Sequence, residues 1–163
     1  MRAKVAVALG FLGSCGGDGF DGDTTCGVAV SVSGGLEAAI GASENPACLT
    51  QVSFGDGIDV VYVLPGHALP RVELSNDTIR RGETAVAQPA QVRLESSTGE
   101  VWVDNTCTID VASNTFDRAV EFGDHYRVAG TVTCPAPLPP ATGDAPAVMV
   151  DALEFVVVIT WNQ

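Results

Sequence analysis

The sequence predicts an all-β protein, an antiparallel sandwich, and three observations carry that expectation. Most of the chain alternates apolar and polar residues with period two. The alternating runs are rich in β-branched and aromatic residues and are separated by turns bearing Gly or Pro. Four cysteines, Cys26, Cys48, Cys107 and Cys134, all fall on the apolar parity of their runs, as disulfides inside a core require.

The elements follow in chain order. In CGVAVSVSG, Cys26, Val28, Val30 and Val32 share one face. Leu36–Ala42 suggests a helical turn. Cys48, Val52 and Phe54 align in CLTQVSF, and the continuous run Ile58–Leu64 reads as a strand covered on both faces. QVRLESSTGEVWVDN reads as a hairpin turning at Gly99, with Val92 and Leu94 matched to Val101 and Val103. TCTIDV places Cys107, Ile109 and Val111 together. Asn114 as cap, Asp117 at the third position and Gly123 as terminator predict one short helix over residues 114–123. HYRVAGTVTC groups Tyr126, Val128, Val132 and Cys134 against His125, Arg127, Thr131 and Thr133. The proline-rich stretch Pro135–Pro146 reads as an exposed connection. In the last run, Leu153, Phe155, Val157, Ile159 and Trp161 are in phase. About 7–8 such strands with at most one short helix make the expected sandwich immunoglobulin-like.

Of the five cysteines, the four that follow Cys15 imply two disulfides in an exported chain, with three possible connectivities. Sequence proximity favours Cys26–Cys48 and Cys107–Cys134. Each bridge closes a loop of roughly 20–30 residues and adds about 3–4 kcal/mol by the chain-entropy estimate.

The first residues give an address. Arg2 and Lys4 precede the apolar run Val5–Leu12. As a helix this run is only about 12–14 Å long, under half the hydrocarbon thickness. It suits a cleaved export signal better than a permanent span. Leu12-Gly13-Ser14-Cys15 resembles the bacterial lipobox. That resemblance implies cleavage before Cys15 and a diacylglyceryl group on its thiol. The expected division is a lipoprotein signal peptide over 1–14, a lipidated tether over 15–25 and one domain over 26–163. The ten residues Gly16–Thr25, GGDGFDGDTT, read as a flexible tether reaching about 15–20 Å. The expected location is the cell envelope, lipid-anchored with the domain outside the cytoplasm. Gly16 after the modified Cys points to the outer membrane in a Gram-negative cell.

Composition excludes some partners. Loss of Arg2 and Lys4 with the signal leaves six Arg, no Lys and twenty acids, and takes the net charge from −12 to −14. Such a surface repels nucleic acid and anionic lipid headgroups. There is no CxxC pair, and neither His is spaced as a zinc partner. No metal or other cofactor is expected.

Candidate chemistry is sparse. His125 and Arg127 share the polar face of their strand and form a candidate ligand contact, against the plainer reading of a solvated face. His67, in VLPGHALP, reads as a turn residue. Trp102 departs in parity from Val101 and Val103, which marks either an exposed contact aromatic or packing against another layer. No GxSxG, HExxH or P-loop pattern occurs, and no catalytic residue is assigned. Asp18–Asp23, DGFDGD, lacks the spacing of an EF-hand loop.

Gly123–Thr133, GDHYRVAGTVT, followed by the proline loop and LEFVVVITW, resembles the C-terminal end of the mycobacterial 19 kDa lipoprotein antigen family. The resemblance covers about forty residues and implies a lipobox, a tether and a small β-rich domain without enzymatic activity. That family's final strand carries a Cys where this chain has Trp161, so its disulfides do not transfer. The expected function is a non-enzymatic envelope binding or structural module, held to the membrane by its lipid, with a protein or glycan partner. The alternatives are an envelope hydrolase with a site assembled from distant residues, or a calcium-dependent adhesin.

Overall fold

A computed structural model describes residues 26–41, 50–53 and 56–161. Its strands are β1 (Gly27–Gly34), β2 (Ala38–Ile40), β3 (Thr50–Ser53), β4 (Ile58–Val63), β5 (Arg71–Asn76), β6 (Ala85–Glu95), β7 (Val101–Val120), β8 (Gly123–Thr133) and β9 (Val148–Trp161). Eight of them form one antiparallel path, β2-β1-β9-β8-β7-β6-β5-β4, curled into a half-barrel. β3 lies parallel to the end of β9. The curl brings distant strands together: the Tyr62 hydroxyl of β4 donates 3.0 Å to the Val156 carbonyl of β9. Burial pushes the Tyr62 phenol well above its ordinary value. Among the described residues there is no helix, and so none long and apolar enough to cross a membrane.

Parity builds the core. Val28, Val30 and Val32 of β1 are buried, as are Val128 and Val132 of β8. Along β9, Leu153, Phe155, Val157, Ile159 and Trp161 are all buried in phase, as the alternation predicts. β4 is simpler than expected: Ile58, Val60 and Tyr62 are buried while Val63 is half exposed, so only one face is covered.

The β6–β7 hairpin forms where expected, with Gly99 at φ +90° in its turn. Its register reverses the predicted parity, because Leu94 faces Trp102 and Glu95 faces Val101. Trp102 is therefore inside, at 2% exposure. The phase returns to Cys107, Ile109 and Val111 through an irregularity between the pairs Ala90–Cys107 and Val92–Asp104. There the Thr106 amide donates to the Asp104 carboxylate, which stabilises an extra residue in β7.

Two corrections concern local structure. Residues 114–120 continue β7 instead of starting a helix, and Leu36–Ala42 contains the short strand β2. In β7, register shifts between Val111 and Ser113 and between Phe116 and Arg118 break the period of two. The resulting three- and four-residue spacing of Phe116, Ala119 and Val120 imitates a helix, but pairing with β8 decides the outcome.

The proline stretch is mostly exposed, as expected, with one exception. Leu138 is fully buried and exchanges backbone hydrogen bonds with Val148. The Trp102 indole donates 2.9 Å to the Pro146 carbonyl, so this loop covers the tryptophan.

Cys107 and Cys134 form a disulfide, with Cα atoms 4.2 Å apart. Since Thr108 pairs with Thr133, the bridge joins neighbouring strands of one sheet, not opposed layers. Cys26 is buried and disulfide-bonded. Cys15, Cys48, the signal and tether segments and DGFDGD lie outside the described residues.

Candidate functional site

The β7–β8 hairpin extends past the start of β6. β6 pairs with β7 only as far as Val111, whereas β8 follows β7 to Val120. On the other side of β8, β9 runs to Trp161, opposite Asp124. This end of the sheet carries two different faces.

The inner face holds an aromatic tier. Phe116 pairs with Tyr126 across β7 and β8, and their rings meet edge to face at 5.7 Å. Tyr126 meets Trp161 in the same way at 5.5 Å. Such edge contacts place the positive rim of one ring against the face of the next. Exposure grades along the tier, from 3% at Trp161 to 56% at Phe116, and Phe122 at the hairpin tip is 75% exposed. Asn114, one step inward from Phe116, is buried and donates through Nδ2 to the Arg80 and Glu83 carbonyls at 2.9 and 3.0 Å. It thereby holds the β5–β6 loop against the tier, where a Cβ on Gly82 would lie 3.6 Å from the Tyr126 ring.

The outer face holds His125, directly opposite Arg118. Partial burial and the Arg118 charge hold the His125 imidazole below its ordinary value, with Asp117 pulling the other way. Arg81 bridges the β5–β6 loop to Asp124 at 3.1 Å, and Arg80 reaches Asp56 at 3.2 Å.

Four buried side-chain atoms among the described residues lack a hydrogen-bond partner: Asn114 Oδ1, Asp117 Oδ2, His125 Nδ1 and Trp161 Nε1. All four belong to this end of β7, β8 and β9. Asn114 Oδ1 and Trp161 Nε1 lie on the inner face with the tier. His125 Nδ1 is on the outer face beside Asp117 Oδ2, which has Arg118 Nε at 3.8 Å. A buried polar atom without a partner costs about 1–3 kcal/mol, so the inner pair asks for a ligand or partner at the tier.

The remaining predicted residues are dispersed. His125 and Arg127 do sit here, on the outer face. Trp102 leaves the contact set, because the proline loop buries it at the opposite end. His67 lies in the β4–β5 connection, where its amide donates to the Leu64 carbonyl. That connection touches the β6–β7 hairpin through the Ser97 amide and the Ala68 carbonyl, so the two histidines occupy opposite ends of the sheet. No group of three or more His, Cys, Asp or Glu suited to a metal occurs among the described residues. The depression nearest the site, about 290 Å³, is an open one beside the β5–β6 loop, lined by Ile79, Glu83, Thr84 and Val86 among others.

Asn114, Phe116, Tyr126 and Trp161 escaped the sequence reading as a group, since their adjacency depends on the order β9-β8-β7. The local signal was present in part: Tyr126 and Trp161 each stand at the end of an apolar series.

No family model matches the chain, and neither a curated protein nor a solved structure matches it.

Proposed function

We propose that this is an exported envelope protein, held by a diacylglyceryl group on Cys15, that acts by contact and not by turnover, through the β7–β8 end of its domain. The observation that carries the reading is the graded, half-exposed aromatic tier there, with the unbonded Asn114 Oδ1 and Trp161 Nε1 on the same face. Separation of the two histidines to opposite ends supports contact over a hydrolytic pair. The cross-strand disulfide suits an oxidising compartment. The lipobox and the likeness to the mycobacterial 19 kDa lipoprotein antigen family rest on the sequence.

In this reading the halves of the curled sheet act as the two layers of an immunoglobulin-like sandwich, supported by the Tyr62–Val156 hydrogen bond between strands five places apart.

Intact mass of the native protein, with fractionation of wild type and Cys15→Ser, tests the anchor. The expected result is a chain beginning at Cys15 with acyl mass, and release of the variant from the membrane fraction. An unacylated chain that distributes like the variant refutes it. For the contact reading, a purified domain that hydrolyses envelope substrates and loses this on His125→Ala would establish the enzyme instead.

A further inference from the structure

We propose that the β7–β8 end seats on the lipid bilayer that holds the anchor, with Phe122 and Phe116 entering the interface. This inference rests on the lipidation of Cys15.

The direction of the chain is the first support. β1 is antiparallel to β9, with Gly27 opposite Val156, and β9 continues from there toward Trp161 and the hairpin. The chain thus enters the domain travelling away from the aromatic end. From Val156 to Trp161 is five residues, about 17 Å of strand, and Phe122 lies roughly two residues further, about 23 Å in all. The ten tether residues reach about 15–20 Å on average. Tether and protruding end are therefore of similar length, so at its mean extension the tether brings the hairpin tip to the plane of the acyl chains.

The second support is the chemistry of the tip. Phe122 is 75% and Phe116 56% exposed, the two largest exposed aromatic surfaces among the described residues. Tyr126, half-buried behind them, is a ring suited to the boundary between headgroup and hydrocarbon, and the buried Trp161 backs it. Four of the six arginines that follow Cys15, namely Arg80, Arg81, Arg118 and Arg127, belong to this end. Guanidinium forks match phosphodiester oxygens. Arg80, Arg81 and Arg118 pair with Asp56, Asp124 and Asp117, and Glu83 and Glu121 stand at the same end, so it carries no net positive charge. Aromatic entry is consequently the main attraction, and seating depends little on salt.

The test uses the acylated full-length protein in zwitterionic phosphatidylethanolamine–phosphatidylcholine vesicles, which the acidic domain does not repel. Two variants each carry a reporter: Phe122→Trp at the tip and Ala141→Trp in the proline loop at the other end. Both native tryptophans are buried and give a common background. The expected result is that lipids brominated on their acyl chains quench the Phe122→Trp reporter several-fold more than the Ala141→Trp reporter, alike at low and high salt. Flotation with the vesicles separates the two levels of the proposal. A protein without acyl mass that fails to float overturns the anchor and the seating together. A protein that floats but shows equal quenching of both reporters overturns the seating alone. Equal quenching together with protection of the hairpin only on native envelopes assigns the end to a protein or glycan instead.

Discussion

Replacing Asn76 by alanine removes the bracket that shapes the β5–β6 loop beneath the aromatic tier. Asn76 is 4% exposed. Its Oδ1 accepts from the Thr78 and Ile79 amides at 2.8 and 2.7 Å, and its Nδ2 donates to the Pro89 carbonyl at 2.7 Å. Alanine leaves two amides and one carbonyl without these partners. The Ile79 amide is buried and bears the full cost of about 1–3 kcal/mol, while the other two bonds are worth about 0.5–1.5 kcal/mol each. The sum is about 4 kcal/mol, which for a domain of this size lowers Tm by about 14 °C. Asn76→Asp keeps the acceptor but turns a carboxylate on the Pro89 carbonyl, and at neutral pH it costs at least as much. Urea denaturation and calorimetry of the two variants provide the measurement. A loss under about 1 kcal/mol in Asn76→Ala would refute the bracket, and with it the way this loop is presented to Asn114 and Tyr126.

Other predictions follow from the same geometry. Removing both Cys107 and Cys134 opens a loop with a sequence separation of 27 and costs about 3–4 kcal/mol in urea unfolding. Trp102→Phe deprives the Pro146 carbonyl of its donor and costs about 1–2 kcal/mol; amide exchange speeds up in residues 138–148 while the aromatic tier keeps its protection. His125 titrates below 6.5 by proton NMR, and Arg118→Gln moves it upward by relieving the nearby positive charge. Because the folded state resists protonating this imidazole, its contribution to stability falls as pH drops from about 6.5 through the folded value, then levels off. A titration unchanged in Arg118→Gln would leave burial as the only cause.

Much of the fold is legible wherever alternation runs unbroken. β1, β8 and β9 show their buried faces directly, and Gly99 marks its turn because the backbone there needs positive φ. β5 was equally legible in principle, since Val72, Leu74 and Asn76 alternate inward, but the polar Asn76 at a core position hides the pattern. β7 defeats a local reading for a physical reason. Its bulges shift the inward set from Trp102 to Cys107 and then to Asn114 and Phe116, and no single period survives. Where parity failed, Trp102 stayed open between an exposed contact and packing under a loop, and Asn114 passed for a helix cap. The candidate site was visible only at His125 and Arg127, whose strand keeps its period. Its aromatic half depends on which strands are neighbours, a long-range property that hydrophobic spacing does not encode.

Hydrogen exchange of the native acylated protein in its own envelope, against the same protein in detergent solution, tests the central claim most directly. Slower exchange is expected on the envelope at residues 112–126 and 157–161, with the β4–β5 connection and the proline loop unchanged. Protection confined to those two connections, with the hairpin exchanging as freely as in solution, would place the working surface at the opposite end and contradict it.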